Sequence, residues 1–216
     1  MIRNSATLVL FAALSLTLGG CAFQGGLNTT YYQYSPRTYV SKIAGKAALQ
    51  MSGSDQNEIY TGKPTSFSGA STTLSLPMGE ITREAAMLAF NDVFAQGVQL
   101  VESTPEQGYV AVIQPKVTHF SYEYNQLKNA GFAITPTAVI SLKVTLMDDG
   151  GKPVWEKTFE SGNYEGTTYF MSGSPGDEIS KTTHKAMMKV MQEAADAVHK
   201  DLGNRIQETQ KGGQAL

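Results

Sequence analysis

Cys21, His119, His184, His199 and the acidic pair Asp148-Asp149 are the side chains of this 216-residue chain whose types could do chemistry. A thiol can act as nucleophile, metal ligand or lipid attachment point, and an imidazole can move a proton or bind a metal. Their spacing excludes most of these roles. His184 and His199 lie about four turns apart on a stretch of helical period, too far to share a metal ion. One cysteine gives no disulfide within the chain, no Cys-based zinc site and no CxxC redox pair. HExxH, a GxSxG elbow and a phosphate-cradling P-loop are all absent from the sequence. Asp148-Asp149-Gly150-Gly151 lacks the ligand spacing of a calcium loop and reads as a tight turn. In Thr118-His119-Phe120-Ser121-Tyr122-Glu123, a strand would place His119, Ser121 and Glu123 on one face. With no nucleophile nearby, a solvated strand face of paired polar residues is expected there. The expectation is no catalytic residue, no metal and no cofactor beyond lipid.

Cys21 is the exception, because of what precedes it. Arg3 is followed by an apolar run from Ala6 to Leu18 and then by Gly19, Gly20 and Cys21. The run is short of the roughly 20 apolar residues that span a bilayer, and has the layout of a secretory signal. Leu18-Gly19-Gly20-Cys21 resembles the lipobox of bacterial lipoproteins. The resemblance implies cleavage between Gly20 and Cys21, then a diacylglycerol on the thiol and an acyl chain on the new amine. Three chains would hold the protein on a membrane essentially permanently, since each buried CH₂ contributes about 0.8 kcal/mol. Ala22, where Asp would signal inner-membrane retention, favours the outer membrane with the domain facing the periplasm.

Seventeen basic against 19 acidic side chains, a formal charge of −2, give no electrostatic footprint for nucleic acid. With 41% apolar residues the chain can bury the core of one ordinary domain.

The elements that must position any site follow from periodicity. The segment 21–40 has neither a helical nor an alternating period, and Gly25-Gly26 and Asn28-Thr29-Thr30 are flexible, so it reads as a tether. Its tyrosines Tyr31, Tyr32, Tyr34 and Tyr39 would either pack on the domain or present a binding surface. Lys46–Met51 suggests a short strand. The Ser/Gly/Thr-rich stretch 52–73 reads as a long loop, and Leu74, Leu76 and Met78 as a brief edge strand around Pro77. A helix capped at Thr82 follows, with the stripe Ala86, Ala89, Phe90, Val93 and Phe94 ended by Gly97. Strands are expected at Val98–Val101, Tyr109–Tyr124, Ala138–Met147 and Val154–Phe159, the last two joined as a hairpin. A final helix runs from Asp177 to a stop at Gly203, with Met187 and Met191 in the core and Met188 off the stripe as a contact surface. The organisation expected is a signal peptide at 1–20, the lipidated cysteine and tether at 21–40, one domain at 41–203 and a flexible tail at 204–216. The fold class is α+β, a two-layer sandwich with two main helices on one face of a mainly antiparallel sheet.

Lipobox, tether, Leu76-Pro77-Met78-Gly79-Glu80-Ile81 leading into an amphipathic helix, paired long strands, Asp-Gly hairpin and terminal helix together resemble the YajG-type lipoproteins. The LptE-like and ABC-transport auxiliary lipoproteins are wider relatives. This resemblance implies helices packed on an antiparallel sheet and carries over no functional residue except Cys21. The role expected is a non-enzymatic accessory or assembly one in an envelope complex, with Tyr31, Tyr32, Tyr34 and Met188, read from the residues themselves, as candidate partner-binding residues. The competing reading is a lipid-, glycan- or peptidoglycan-binding lipoprotein, which would need a groove open between the layers. The missing nucleophile-and-base constellation argues against a hydrolase.

Overall fold

A computed structural model describes residues 22–105, 107–126, 133–148, 151–170 and 174–212, the last six of these as backbone. The signal segment, its cleavage point at Gly20 and Cys21, the turn residues Asp149 and Gly150, and residues 213–216 lie outside the described residues.

The order is β1 (Ala22–Gln24), a 3-10 turn (Thr29–Tyr32), β2 (Ala47–Gln50), α1 (Gly53–Gln56), β3 (Tyr60–Gly62), β4 (Thr73–Leu76) and α2 (Met78–Asn91). Then come β5 (Val98–Val101), β6 (Ala111–Asn125), β7 (Ala133–Met147), β8 (Pro153–Glu160), β9 (Tyr164–Glu165), β10 (Tyr169–Phe170) and α3 (Pro175–Gly212). β6 and β7 pair antiparallel along almost their whole length, from Val112 opposite Met147 to Asn125 opposite Thr135, with a bulge between Val117 and His119. β8, β9 and β10 pair antiparallel with successive parts of β7. On the far side β2 joins β6 and β5 in parallel. The sheet is therefore mainly antiparallel, with two parallel joints at one side.

Alternation along β7 sets the layers. Ala138, Ile140, Leu142, Val144 and Leu146 are buried on one face, while Val139, Ser141 and Lys143 stay partly exposed on the other. The second layer is built from α2, α3 and a three-stranded sheet ordered β1-β4-β3. α3 covers β7, and α2 packs on α3 and on the β5–β6 side of the sheet. The small sheet closes over the end of β6, where Tyr60 meets Phe120 edge-on at 4.6 Å and the Tyr122 hydroxyl donates to the Gly62 carbonyl at 3.1 Å. The α+β two-layer architecture is as the periodicity predicts.

Four local expectations need correction. The first helix starts at Met78, a turn before Thr82, because Pro77 lacks the N–H that a helix start leaves unpaired anyway, and its φ of −76° suits that position. Thr82 lies inside the helix, its hydroxyl donating to the Met78 carbonyl at 2.8 Å. β4 is the central strand of the small sheet and not an edge, and Pro77 ends it without interrupting it. The stretch 52–73 is no open loop. α1 sits on Gly79, where a Cβ would overlap the Asp55 and Gln56 carbonyls, while Thr65 N–H donates to Tyr122 O and Tyr124 N–H to Ser66 Oγ. The last helix passes through Gly203 to Gly212. A glycine there costs about 1 kcal/mol relative to alanine, and the Asp201–Arg205 ion pair at 2.6 Å bridges the weakened turn.

Candidate functional site

The segment read as a tether is a strap bound along the helices. Gly25 lets it approach closely, since a Cβ there would overlap Leu76 and Ser180. Before it, β1 pairs in parallel with β4, with Ala22 opposite Thr73, Phe23 opposite Leu74 and Gln24 opposite Ser75. Beyond it, the Asn28 side chain caps the 3-10 turn by accepting from Thr30 N–H at 3.1 Å. The Asn28 N–H donates to His184 Nε2 at 3.3 Å, and His184 Nδ1–H donates to the Ser180 carbonyl at 2.8 Å. Those two partners fix the neutral imidazole with its proton on Nδ1. Burial pushes the His184 pKa below its ordinary value, against a smaller upward pull from the Ser180 carbonyl.

The strap then lies against both helices. Tyr32 is 2% exposed and donates its hydroxyl to the Ile81 carbonyl at 2.8 Å. Tyr34 donates to the Leu88 carbonyl at 3.0 Å and to the Asp92 carboxylate. Tyr39 donates to Asp196 at 2.7 Å and stacks on His199, whose Nε2–H donates to the Ser41 carbonyl at 2.7 Å. Burial raises the phenol pKa of Tyr32, Tyr34 and Tyr39, and the neighbouring carboxylates Asp92 and Asp196 raise the latter two further. All three stay protonated donors.

This arrangement decides among the residues proposed for partner contact. Tyr32 and Tyr34 are committed to α2. Met188 is 3% exposed, on the side of α3 where Tyr32 and Gln33 lie, so it is core and not contact surface. Tyr31 and Tyr34 are both half-buried, but Tyr34 bonds α2 through its hydroxyl, while Tyr31 lies edge-on to His184 and beneath the Lys181 ammonium. The aromatic-rich composition of 31–39 was the visible signal. Its partners His184, Asp196 and His199 carry no mark in sequence, because they sit one after another on an ordinary helix.

The opposite face of the main sheet is mixed: Thr135, Thr137 and Thr145 are buried, Lys116 is exposed, and Val139, Ser141 and Lys143 are half-buried. His119 is exposed there and meets Ser121 Oγ at 3.3 Å, on the face shared with Glu123 as the alternation requires. Further along, a groove of about 310 Å³ is lined by Gln50, Asp55, Glu102, Lys116, Lys143 and Glu156 among others. Lys143 pairs with Glu156 at 3.2 Å, and Lys116 approaches Asp55 at 3.9 Å. These exposed pairs contribute little to stability and present both signs of charge to a partner. Between the layers there is no groove at the centre: Ile140, Leu142, Val144, Met187 and Met191 are fully buried together. Among the described residues no group of three or more His, Cys, Asp or Glu could hold a metal ion, and no helix is long and apolar enough to cross a membrane.

The helix-on-sheet α+β fold of this chain is similar to that of bacterial proteins of known structure. A Xanthomonas campestris protein of family model DUF330 matches with a TM-score of 0.50 at 13% identity, over 87% of this chain and 98% of that one. A Helicobacter pylori protein described as a neuraminyllactose-binding hemagglutinin homolog matches with a TM-score of 0.50 at 9% identity, over 82% and 98%. A minor lipoprotein of Acinetobacter baumannii is looser, with a TM-score of 0.34 at 11% identity over 76% and 96%. At such identities the likeness is one of fold. No family model matches the chain, and no curated protein matches it.

Proposed function

We propose that this chain is a lipid-anchored, periplasm-facing lipoprotein of the bacterial outer membrane. It acts without catalysis, as an accessory or assembly partner of an envelope complex in transport, secretion or envelope maintenance. The observation that carries the reading is that the chain's single cysteine, at the end of an apolar run, stands immediately before the first strand of the domain. A lipid on Cys21 confines a rigid domain beside its partner and raises the effective concentration of the pair. The exposed part of the opposite sheet face, with its mixed-charge groove, is the surface it offers. The closed packing between the layers does not favour the lipid- or glycan-binding alternative.

The test combines mass and crosslinking. Protein extracted from membranes should carry the mass of three acyl chains, and Cys21→Ser should leave a precursor or a soluble form. Photocrosslinkers at Ser121 and Lys143 should capture one envelope protein, whereas one at Glu193 on α3 should not. Salt-resistant membrane association of Cys21→Ser would overturn the anchor. Capture from Glu193 but not from the sheet face would overturn the assignment of the partner surface.

A further inference from the structure

The strap has no slack where it begins. Ala22 is already paired with Thr73, and one peptide step of about 3.8 Å separates its Cα from that of Cys21. Resting on the anchored reading above, lipid at Cys21 places this end of the domain at the level of the lipid headgroups.

Three features gather at this end. Phe67 and Phe170 are 97% and 73% exposed, the two most exposed aromatic side chains described. They belong to segments that line one cleft of about 170 Å³, through Gly69 and Thr72 on one and Tyr169 on the other, with Phe23, Ile134 and Pro175 also lining it. No residue lining this cleft is charged, whereas four other clefts on the surface each include Lys, Arg, Asp or Glu. Finally, the Tyr169 hydroxyl is buried and has no hydrogen-bond partner among the described residues. A buried donor left unpaired is costly, and an ester or phosphate oxygen would satisfy it. Single exposed apolar residues are ordinary on a protein surface. Here each exposed phenylalanine adjoins in sequence a residue that lines the uncharged cleft, Phe67 next to Ser68 and Phe170 next to Tyr169, and Phe23 of β1 lines it two residues after Cys21.

We propose that Phe67, Phe170 and the uncharged cleft beside Tyr169 form a membrane-docking surface that seats in the interface of a phospholipid bilayer. Phenylalanine rings insert at the headgroup–acyl boundary because burying their apolar faces there is favourable, and Tyr169, with an apolar ring and a polar tip, suits the same depth. Docking would fix the orientation of the domain. β10 pairs with the start of β7, where Phe170 lies opposite Ala133. The other end of β7, roughly 45 Å along the strand, then points away from the membrane.

The acylated full chain, extracted from membranes and reconstituted in phosphatidylethanolamine–phosphatidylglycerol vesicles containing brominated lipid, tests this directly. Phe67→Trp and Phe170→Trp are read separately in a Trp155→Phe background. The native Trp155, which pairs with Leu146 at the far end of β7, is the reference. Expected are a blue shift and bromine quenching for F67W and F170W, and neither for Trp155. If Trp155→Phe lowers the urea midpoint, the same two substitutions are read in the native chain as quenching in excess of Trp155. Emission from F67W and F170W no more quenched than that of Trp155, on protein whose mass shows the acyl chains, overturns the docking surface and leaves the anchor standing. Protein whose mass lacks acyl chains overturns both.

Discussion

Tyr39 lies on the imidazole of His199, with ring centroids 4.4 Å apart and planes 26° from parallel. The stack closes the end of the strap and, with the Tyr39 hydroxyl on Asp196, holds Arg37 in a bound segment although its side chain is exposed. Tyr39→Ala should release this end while the core stays folded. Tryptic cleavage after Arg37 should accelerate about tenfold, the factor for losing roughly 1.4 kcal/mol against local opening. Unchanged cleavage would show that the strap is held elsewhere.

His184 makes the strap sensitive to acid. Desolvation by burial depresses its folded pKa below the ordinary 6.5, so the unfolded chain binds the proton more readily. Its contribution is complete above about pH 6.5 and is lost as the pH falls through the depressed folded value. Urea midpoints measured between neutral and mildly acidic pH should therefore drop for the native chain, and drop less for His184→Gln. Parallel curves for the two would assign the acid sensitivity to carboxylates.

Phe90 is fully buried in the core between α2 and the rest of the domain. Phe90→Ala should cost about 3–5 kcal/mol, the range for emptying a large aromatic site. A loss under about 1 kcal/mol in denaturant titration would mean that the site collapses around the missing ring.

Gly203 offers a stabilising change. It lies inside α3 with nothing within contact distance of an added Cβ, and its φ is not in the left-handed region. Gly203→Ala should raise helicity by circular dichroism and stabilise the last turns by up to about 1 kcal/mol. No gain in helicity would return 204–212 to a frayed tail.

The layers of this fold were readable because burial imposes a period. β7 alternates cleanly from Ala138 to Leu146, and α3 keeps its stripe from Ile179 to Val198. What escaped was set by contacts without a period. Nothing in the sequence near Gly25 says that its missing side chain admits Leu76 and Ser180, so a glycine-rich segment resembled a tether. Met188 left the helical stripe only because a second surface, the strap, buries that side of α3. Gly203 looked like a stop, since propensity is local while the Asp201–Arg205 pair is not visible in a propensity count. Phe67, in a bend, and Phe170, in the two-residue strand β10, have no pattern in the sequence, since isolated aromatics carry none.

The strap also sets an order of events during synthesis. Its bonds to α3, from Gly26 to Ser180, Asn28 to His184, Tyr39 to Asp196 and Ser41 to His199, each span 154 to 158 residues of chain. Contacts of such separation form late, because the loop they close must first be made. The seam between strap and α3 therefore closes only after α3 has been delivered, whereas β1 can pair with β4, and Tyr32 and Tyr34 with α2, well before. Until then the strap is held by β4 and α2 alone, and the row of bonds along α3 is the last part of the domain to close.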